Sequence, residues 1–355
     1  MADMSLLERT LAETVPLNKA RGNFLAKFLV ALLQVKTVNL SEIANVFAGR
    51  AKSESHYKRI QRFLRFFEVP YAVIALALVR LLPLEAPYVL TLDRTNWQLG
   101  QMPLNLLVLG IAYKGVALPI LWTVLQKKGN SNTAERIAIV SEFVALCGVD
   151  QIVYLAGDRE FIGKKWFRWL KANGIDFRIR VKENTQVTNG RGQLVPVRKL
   201  FRSQRIGTQL VIPSARRCWG MELYFSGVRL ASGEYVIVVS PQAAPAALDE
   251  YRRRWEIETL FGCLKRRGFR LEETHVTDPE RLKKLLALLA LAFCWAVIVG
   301  EWLVEQKPLR IKQHGRLCKS VFRHGLDHLR RILCNLTSFA QRVAFRRVIQ
   351  LLSCT

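Results

Sequence analysis

Acidic side chains are scarce in this 355-residue sequence, 28 against 54 lysines and arginines, so a carboxylate set among apolar residues stands out. Asp93 closes the apolar run Tyr88-Val-Leu-Thr-Leu-Asp93. Asp158 follows the apolar stretch from Gln151 to Ala156 in Leu155-Ala-Gly-Asp-Arg-Glu-Phe161. Glu258 lies in Tyr251-Arg-Arg-Arg254-Trp-Glu-Ile-Glu258-Thr-Leu-Phe-Gly-Cys-Leu-Lys265. Each aspartate sits where a charge at a central strand end needs a partner or a metal ion; taken alone, either reads as a strand-end cap or a salt-bridge partner. Turned at about 100° per residue, a helix through the third segment places Arg254, Glu258 and Lys265 within about 40° of one another, with Tyr251 about 20° beyond. Glu256 falls about 160° away on the same count. Ile257, Leu260, Phe261 and Leu264 form the adjoining apolar face. A solvated basic helix with an i,i+4 Arg–Glu pair explains the charges, but neither the tyrosine nor the two aspartates. Three carboxylates from separate elements can bridge and flank two hard cations, the arrangement that cleaves phosphodiesters. Arg254 and Lys265 would grip phosphates on either side of the scissile bond, and Tyr251 would bond a phosphate or stack on a base.

The elements that must carry these groups alternate in texture. The stretches 88–93, 104–113 and 116–124 read as strands, the last two joined at Lys114-Gly115 like a hairpin. Then come a helix over 133–146, a strand over 151–156, a helix over 164–172 and a strand over 176–181. Three strands, helix, strand, helix, strand is the ribonuclease-H-like layout, an α/β mixed sheet with helices packed on it. Residues 183–243 read as a strand-rich insertion punctuated by turn signals at Asn189-Gly-Arg-Gly192 and Ser232-Gly233. Helices over 246–267 and 279–304 follow. The expected organisation is a helical domain over 1–85, the core in two parts over 86–182 and 244–304 around the insertion, and a basic helical region over 305–355.

The formal net charge is +26, and charge of that size usually serves a polyanion, either nucleic acid or an anionic membrane surface. Basic residues recur along the whole chain, which suits a long DNA track better than one docking patch. Asn39 with Glu42 opens a short helix, Ala48-Gly49 breaks it, and Ser53 caps a second helix carrying Lys58, Arg59, Arg62 and Arg65 opposite Ile60, Phe63 and Leu64. That is a helix-turn-helix pattern with a basic face for DNA, or an ordinary solvated amphipathic helix. The seven cysteines, Cys354 among them, include no C-x-x-C pair. With no secretion signal opening the chain, they read as reduced thiols of a cytoplasmic protein. His314 belongs to no ligand cluster, and the His324/His328 pair lacks the glutamate of a zinc helix. Arg316 is one of the basic residues of the C-terminal fifty. The uncharged run Leu285 to Gly300 is short for a bilayer and reads as a core helix rather than a membrane span.

With Asp93, Asp158 and Glu258 as its triad and Tyr251, Arg254 and Lys265 at Y-x2-R-x3-E-x6-K spacing, the sequence resembles the "insertion sequence four" family of bacterial DDE transposases. The Asp-Arg-Glu run at 158–160 is similar to that family's second-aspartate motif. The resemblance covers roughly residues 85 to 300. It implies a cut-and-paste DNA transposase with a ribonuclease-H-like core and a β-rich insertion. It also implies two Mg²⁺ or Mn²⁺ ions on the triad, double-stranded terminal inverted repeats and target DNA as partners, and a homodimer in the synaptic complex. DNA-bound chains would be nucleoid-associated. Such enzymes often pass through a hairpin intermediate with a flipped base stacked on a tryptophan of the insertion. Trp219 is the only tryptophan there, and a core role suits it equally. Two rival readings are a ribonuclease-H-like nuclease without strand transfer and a non-catalytic DNA-binding repressor derived from a transposase.

Overall fold

The computed structural model describes residues 2–15, 17–81, 84–99, 102–313, 315 and 317–352. His314, Arg316 and Cys354 lie outside the described residues. The chain forms two compact units. One comprises Met1–Leu84, Trp97–Leu104 and Phe261–Thr355, the other Glu85–Asn96 and Asn105–Leu260.

The first unit opens with five helices: α1 (Ala2–Thr14), α2 (Lys19–Val35), α3 (Leu40–Asn45), α4 (Ser53–Phe66) and α5 (Tyr71–Leu81). Asn39 caps α3 by accepting from the Ser41 amide. The cap position of α4 is Lys52, and Ser53 instead donates to Asn45, so the turn between these helices is closed by a side-chain bond rather than by the serine cap expected.

The second unit is built on a sheet. Strands β1 (Tyr88–Leu99), β2 (Met102–Tyr113) and β3 (Val116–Val124) are followed by α6 (Thr133–Cys147), β4 (Ile152–Gly157), α7 (Lys164–Ala172) and β5 (Phe177–Val181). The hairpin between β2 and β3 turns on Lys114 and Gly115, both at positive φ, the backbone that a two-residue turn between twisted strands requires. Asn132 and Glu135 make a reciprocal capping box that starts α6. Trp166, Phe167 and Leu170 give α7 one buried face. The strand order is β3-β2-β1-β4-β5, with β4 parallel to β1, β5 parallel to β4, and β3 antiparallel to β2. That mixed order is the ribonuclease-H-like one.

The region 183–243 is strand-rich. It holds β6 (Gln186–Thr188), β7 (Leu194–Pro196), β8 (Gln209–Val211), β9 (Arg216–Cys218), β10 (Met221–Arg229) and β11 (Tyr235–Ser240). Only β6 and β7 form a separate ribbon. β11 pairs antiparallel with β5, and β10 and β8 follow it, so the central sheet runs on to nine strands. The apolar centre of β11, Ile237 to Val239, is buried and covers what would otherwise be an open edge at β5.

The segment expected as one helix over 246–267 is broken. α8 (Ala247–Arg252) ends in a turn at Arg253-Arg254, α9 (Trp255–Gly262) follows, and a π-helical turn spans Cys263–Arg267. Four amides at the break bond three residues back instead of four: Arg253 to Glu250, Arg254 to Tyr251, Glu256 to Arg253 and Ile257 to Arg254. The uniform 100° count therefore fails at the break, although Arg254 and Glu258 still meet four residues apart.

The chain closes with α10 (Pro279–Gln306), α11 (Val321–Leu333) and α12 (Phe339–Gln350). Asp278 caps α10 ahead of Pro279. α10 is long and apolar enough to cross a membrane, but most of its apolar stretch is buried inside the protein, as a core helix would be. α10 and α11 approach through Gly300 and Gly325. A Cβ on Gly325 would stand 1.9 Å from the Ala296 carbonyl oxygen, whereas one on Gly22 in α2 would meet nothing within 4 Å. Gly325→Ala is therefore expected to cost about 1–3 kcal/mol or more through forced separation of the helices, while Gly22→Ala gains up to about 1 kcal/mol from helix propensity. Urea unfolding of the two variants measures both, and equal effects would contradict the close crossing.

Candidate active site

The parallel register of β1 and β4 ends at Leu92 and Gly157. Asp93 and Asp158 are the next residues along the two segments, so the two carboxylates emerge side by side. β4 stops there, but β1 continues to Leu99. Asp93 is thus a mid-strand residue rather than the strand-end residue that the sequence reading expects, because the polar Arg-Thr-Asn-Trp-Gln run stays extended. Both aspartates adopt the same local form. Asp93 Oδ1 accepts the Arg94 amide and Asp158 Oδ1 the Arg159 amide, each at 2.7 Å.

Glu258 comes from α9, and Arg254 joins it to the sheet. The guanidinium donates through Nη1 to Asp93 Oδ2 at 3.2 Å and through Nη2 to Glu258 Oε1 at 2.7 Å. Its side chain is 4% exposed, against 16% for Asp93 and 40% for Glu258. Tyr251, also buried, donates its hydroxyl to Asp158 Oδ1 at 3.3 Å. One guanidinium and one phenol thus reach all three carboxylates. Among the described residues no three His, Cys, Asp or Glu side chains are grouped closely enough to hold a metal ion. Arg254 stands between Asp93 and Glu258, where a cation shared by those two groups would have to sit.

Charge and burial compete here. Burial raises the Asp93 carboxyl to about 7; the Arg94 amide and Arg254 oppose this, while Asp158 and Glu160 add to it. The ion pair with Arg254 does not undo the cost of desolvation. Burial also works against the charge on Arg254, but Tyr251, Glu258, Asp158 and Asp93 outweigh it and keep the guanidinium protonated. Burial pushes the Tyr251 phenol well above its ordinary value, so it remains a donor.

Of the remaining expected site residues, Lys265 lies on the π-helical turn, pairs with Glu272 at 3.2 Å and sits over the Trp97 ring. Trp219 is half-buried at positive φ, edge-on to Phe167, and lines a groove of about 610 Å³ with Lys182, Thr185 and Arg217. Lys58 and Arg62 are exposed on α4. With Arg65, Phe66 and Arg281 they line a groove of about 450 Å³. Arg59 differs: its guanidinium lies over the Phe24 and Phe47 rings, because the small turn between α3 and α4 brings that aromatic cluster under it. Glu256, which helical counting turns away from the site, belongs to a different ion pair. It pairs with Arg253 at 3.4 Å, and burial raises its pKa.

The sequence reading passed over Arg94 and assigned no role to Glu160, which form a two-pronged ion pair beside the aspartates. Their signal was there, opposite charges one and two residues beyond the two aspartates, but only the strand register shows that they meet. Trp255 was also passed over. It is 57% exposed, and the Arg254 guanidinium lies 4.7 Å from its ring centre.

The Asp93 shift makes a pH prediction. Its folded pKa of about 7 lies above its ordinary 3.8. The folded state therefore holds a proton that the unfolded chain releases, and this contribution is full below about pH 4 and lost as the pH rises through 7. Asp93→Asn removes the titration. The variant should lose less stability than the wild type between pH 5 and pH 8, by roughly 2–4 kcal/mol. Urea unfolding at the two pH values checks this, and parallel losses would contradict it.

The family model "Transposase DDE domain" matches residues 89–295. No curated protein matches the chain. Among solved structures, a piggyBac transposase synaptic complex with hairpin DNA is similar at a TM-score of 0.41 and 13% identity, over 74% of this chain and 54% of that one; the chain thus spans about half the length of that relative. The family match covers more than half of the sequence and contains both aspartates, Glu258 and the helix pair that carries Arg254. The chain belongs to the DDE transposase family.

Proposed function

We propose that this protein is a cut-and-paste DNA transposase of the "insertion sequence four" type, which binds terminal inverted repeats and catalyses strand cleavage and strand transfer. The observation that carries this reading is the meeting of Asp93, Asp158 and Glu258 around Arg254 and Tyr251, inside the family-matched region.

The donor set fits a hard divalent cation. All three groups offer oxygen, and burial makes the charge on Asp93 costly even beside Arg254. Asp93, Asp158 and Glu258 would hold two Mg²⁺ or Mn²⁺ ions, which when bound supply Lewis acidity to the attacking and leaving oxygens. The protein supplies the rest. Arg254 already has its two donors fanned toward carboxylate oxygens, a geometry equally suited to a phosphate. When the scissile phosphate arrives, the guanidinium exchanges carboxylate for phosphate oxygens and frees Asp93 and Glu258. Tyr251 holds Asp158 through its hydroxyl, and Lys265 grips a second phosphate. The exposed Lys58 and Arg62 on α4 supply end binding, and Trp219 in its groove would take an unstacked base. Assembly on two DNA ends requires two copies of the chain, working in the cytoplasm on the nucleoid.

Glu258→Gln keeps size and hydrogen bonding but removes a ligand charge. On labelled duplexes carrying the DNA that flanks the reading frame, cleavage should fall by several orders of magnitude while binding persists. Excess chelator should abolish wild-type cleavage. Joined ends identify a transposase, nicking alone a nuclease, and binding alone a repressor. Robust cleavage by Glu258→Gln, or in chelator, would overturn the reading.

Lys58→Ala with Arg62→Ala should weaken end binding and lower the salt slope by about one for each phosphate that the variant no longer neutralises. Arg59→Ala should instead lower stability because its guanidinium no longer covers the aromatic rings, by about 0.5–2 kcal/mol. Salt titrations of binding together with thermal unfolding separate the two effects. An unchanged salt slope in the double variant would move end recognition elsewhere.

A further inference from the structure

The geometry points to Arg94 and Glu160 as a positioning pair that fixes the spacing of Asp93 and Asp158; the inference rests on the proposed metal-dependent reading of those aspartates. Strand pairing between β1 and β4 ends at Leu92 and Gly157. Beyond it, Asp158 begins a segment outside any regular element that reaches to Gly163. Nothing in the sheet ladder holds this segment against β1. A side-chain tie does so. Arg94 Nε donates to Glu160 Oε1 and Nη2 to Glu160 Oε2, both at 3.2 Å. The tie lies one residue past Asp93 and two past Asp158, so it closes a short bridge directly behind the two carboxylates.

The arginine is itself held on its other edge. Nη1 donates to Asn105 Oδ1 at 2.9 Å and Nη2 to Asn130 Oδ1 at 3.1 Å. The Asn105 amide in turn donates to the Lys127 and Gly129 carbonyls, so the guanidinium plane is anchored to β2 and to the loop before α6. Ser131 donates to Glu160 from the far side at 3.4 Å. The two charged side chains are only 13% and 18% exposed, so their geometry is set by the protein rather than by solvent. A fork that grips both oxygens of one carboxylate fixes orientation as well as distance, which a lysine at the same place cannot do. Arg94 and Glu160 act through their neighbours; the aspartates would touch the ions. A fixed carboxylate spacing is what a pair of cations demands, and groups that orient metal ligands typically alter affinity about 10–100-fold when removed.

The test uses the full chain with Tb³⁺ as a luminescent probe of the carboxylates, read beside thermal unfolding. R94K and E160Q should each weaken Tb³⁺ binding about tenfold. The double variant should be no weaker than the poorer single, since the two side chains make one bridge. Cleavage should recover at raised Mn²⁺ in the same variants, with end binding unchanged. A lowered melting temperature with wild-type Tb³⁺ affinity would reduce the pair to a structural ion pair and overturn the inference, as would losses that multiply in the double variant. If the charged-pair variants fail to fold, Asn130→Ala, which removes one exposed bond to Arg94, must shift the affinity in the same direction or the inference fails. D93N separates the metal reading from the bridge. If D93N binds Tb³⁺ as well as the wild type, the metal reading itself falls and the bridge with it. If D93N loses binding while R94K and E160Q do not, only the bridge falls.

Discussion

A carboxylate carried into the middle of an apolar sheet loses most of its hydration, and a second one on the adjacent strand repels it. Asp93 and Asp158 stand in this relation because the parallel register of β1 and β4 runs out at the residue before each. Desolvation and repulsion of this kind must be answered by positive charge or by a proton. The protein answers with both. The buried guanidinium of Arg254 reaches across from the helix, and Asp93 still holds its proton near neutrality. The guanidinium serves Asp93 and Glu258 together, one Nη on each, and so ties α9 to the sheet.

The same constraint explains why the helix breaks where it does. Tyr251 must point at Asp158 and Arg254 at Asp93, and a regular α-helix sets residues three apart about 60° off a common direction. The run of three-back bonds around Arg253 and Arg254 tightens the turn and brings the two side chains onto neighbouring strands. Arg253, turned the other way, donates to the Ala112 carbonyl at 2.7 Å and pins the break to the β2–β3 hairpin. Glu256 belongs to this anchor and not to the solvent.

Much of this was legible in the sequence, for reasons that differ by residue. Asp93, Asp158 and Glu258 stood out because carboxylates are rare here and apolar runs lead into two of them. The three-strand, helix, strand, helix, strand order could be read because each element has its own period and its own turn chemistry. Three things could not be read. Helical counting assumes a constant turn, so it missed the break. Amphipathic patterning sorts a helix into faces but does not say which basic residue lies over an aromatic ring, so Arg59 was grouped with Lys58 and Arg62. Strand pairing between distant segments leaves no local trace, so the continuation of the central sheet through β11, β10 and β8 was hidden behind an insertion correctly read as strand-rich, and Arg94 was not matched with Glu160.

The broken helix also has a consequence in time. Residues 93 and 158, with the strands that carry them, leave the ribosome well before residues 254 and 258. During that interval the two aspartates keep the backbone amides of Arg94 and Arg159 as donors, and the Arg254 guanidinium does not yet span the gap above them. The last part of the sheet-bearing unit to be synthesised is therefore the part that neutralises its centre. A chain that stops short of Arg254 would carry the paired carboxylates without that counter-charge, and Asp93, which Arg254 holds down, would keep its proton to a higher pH.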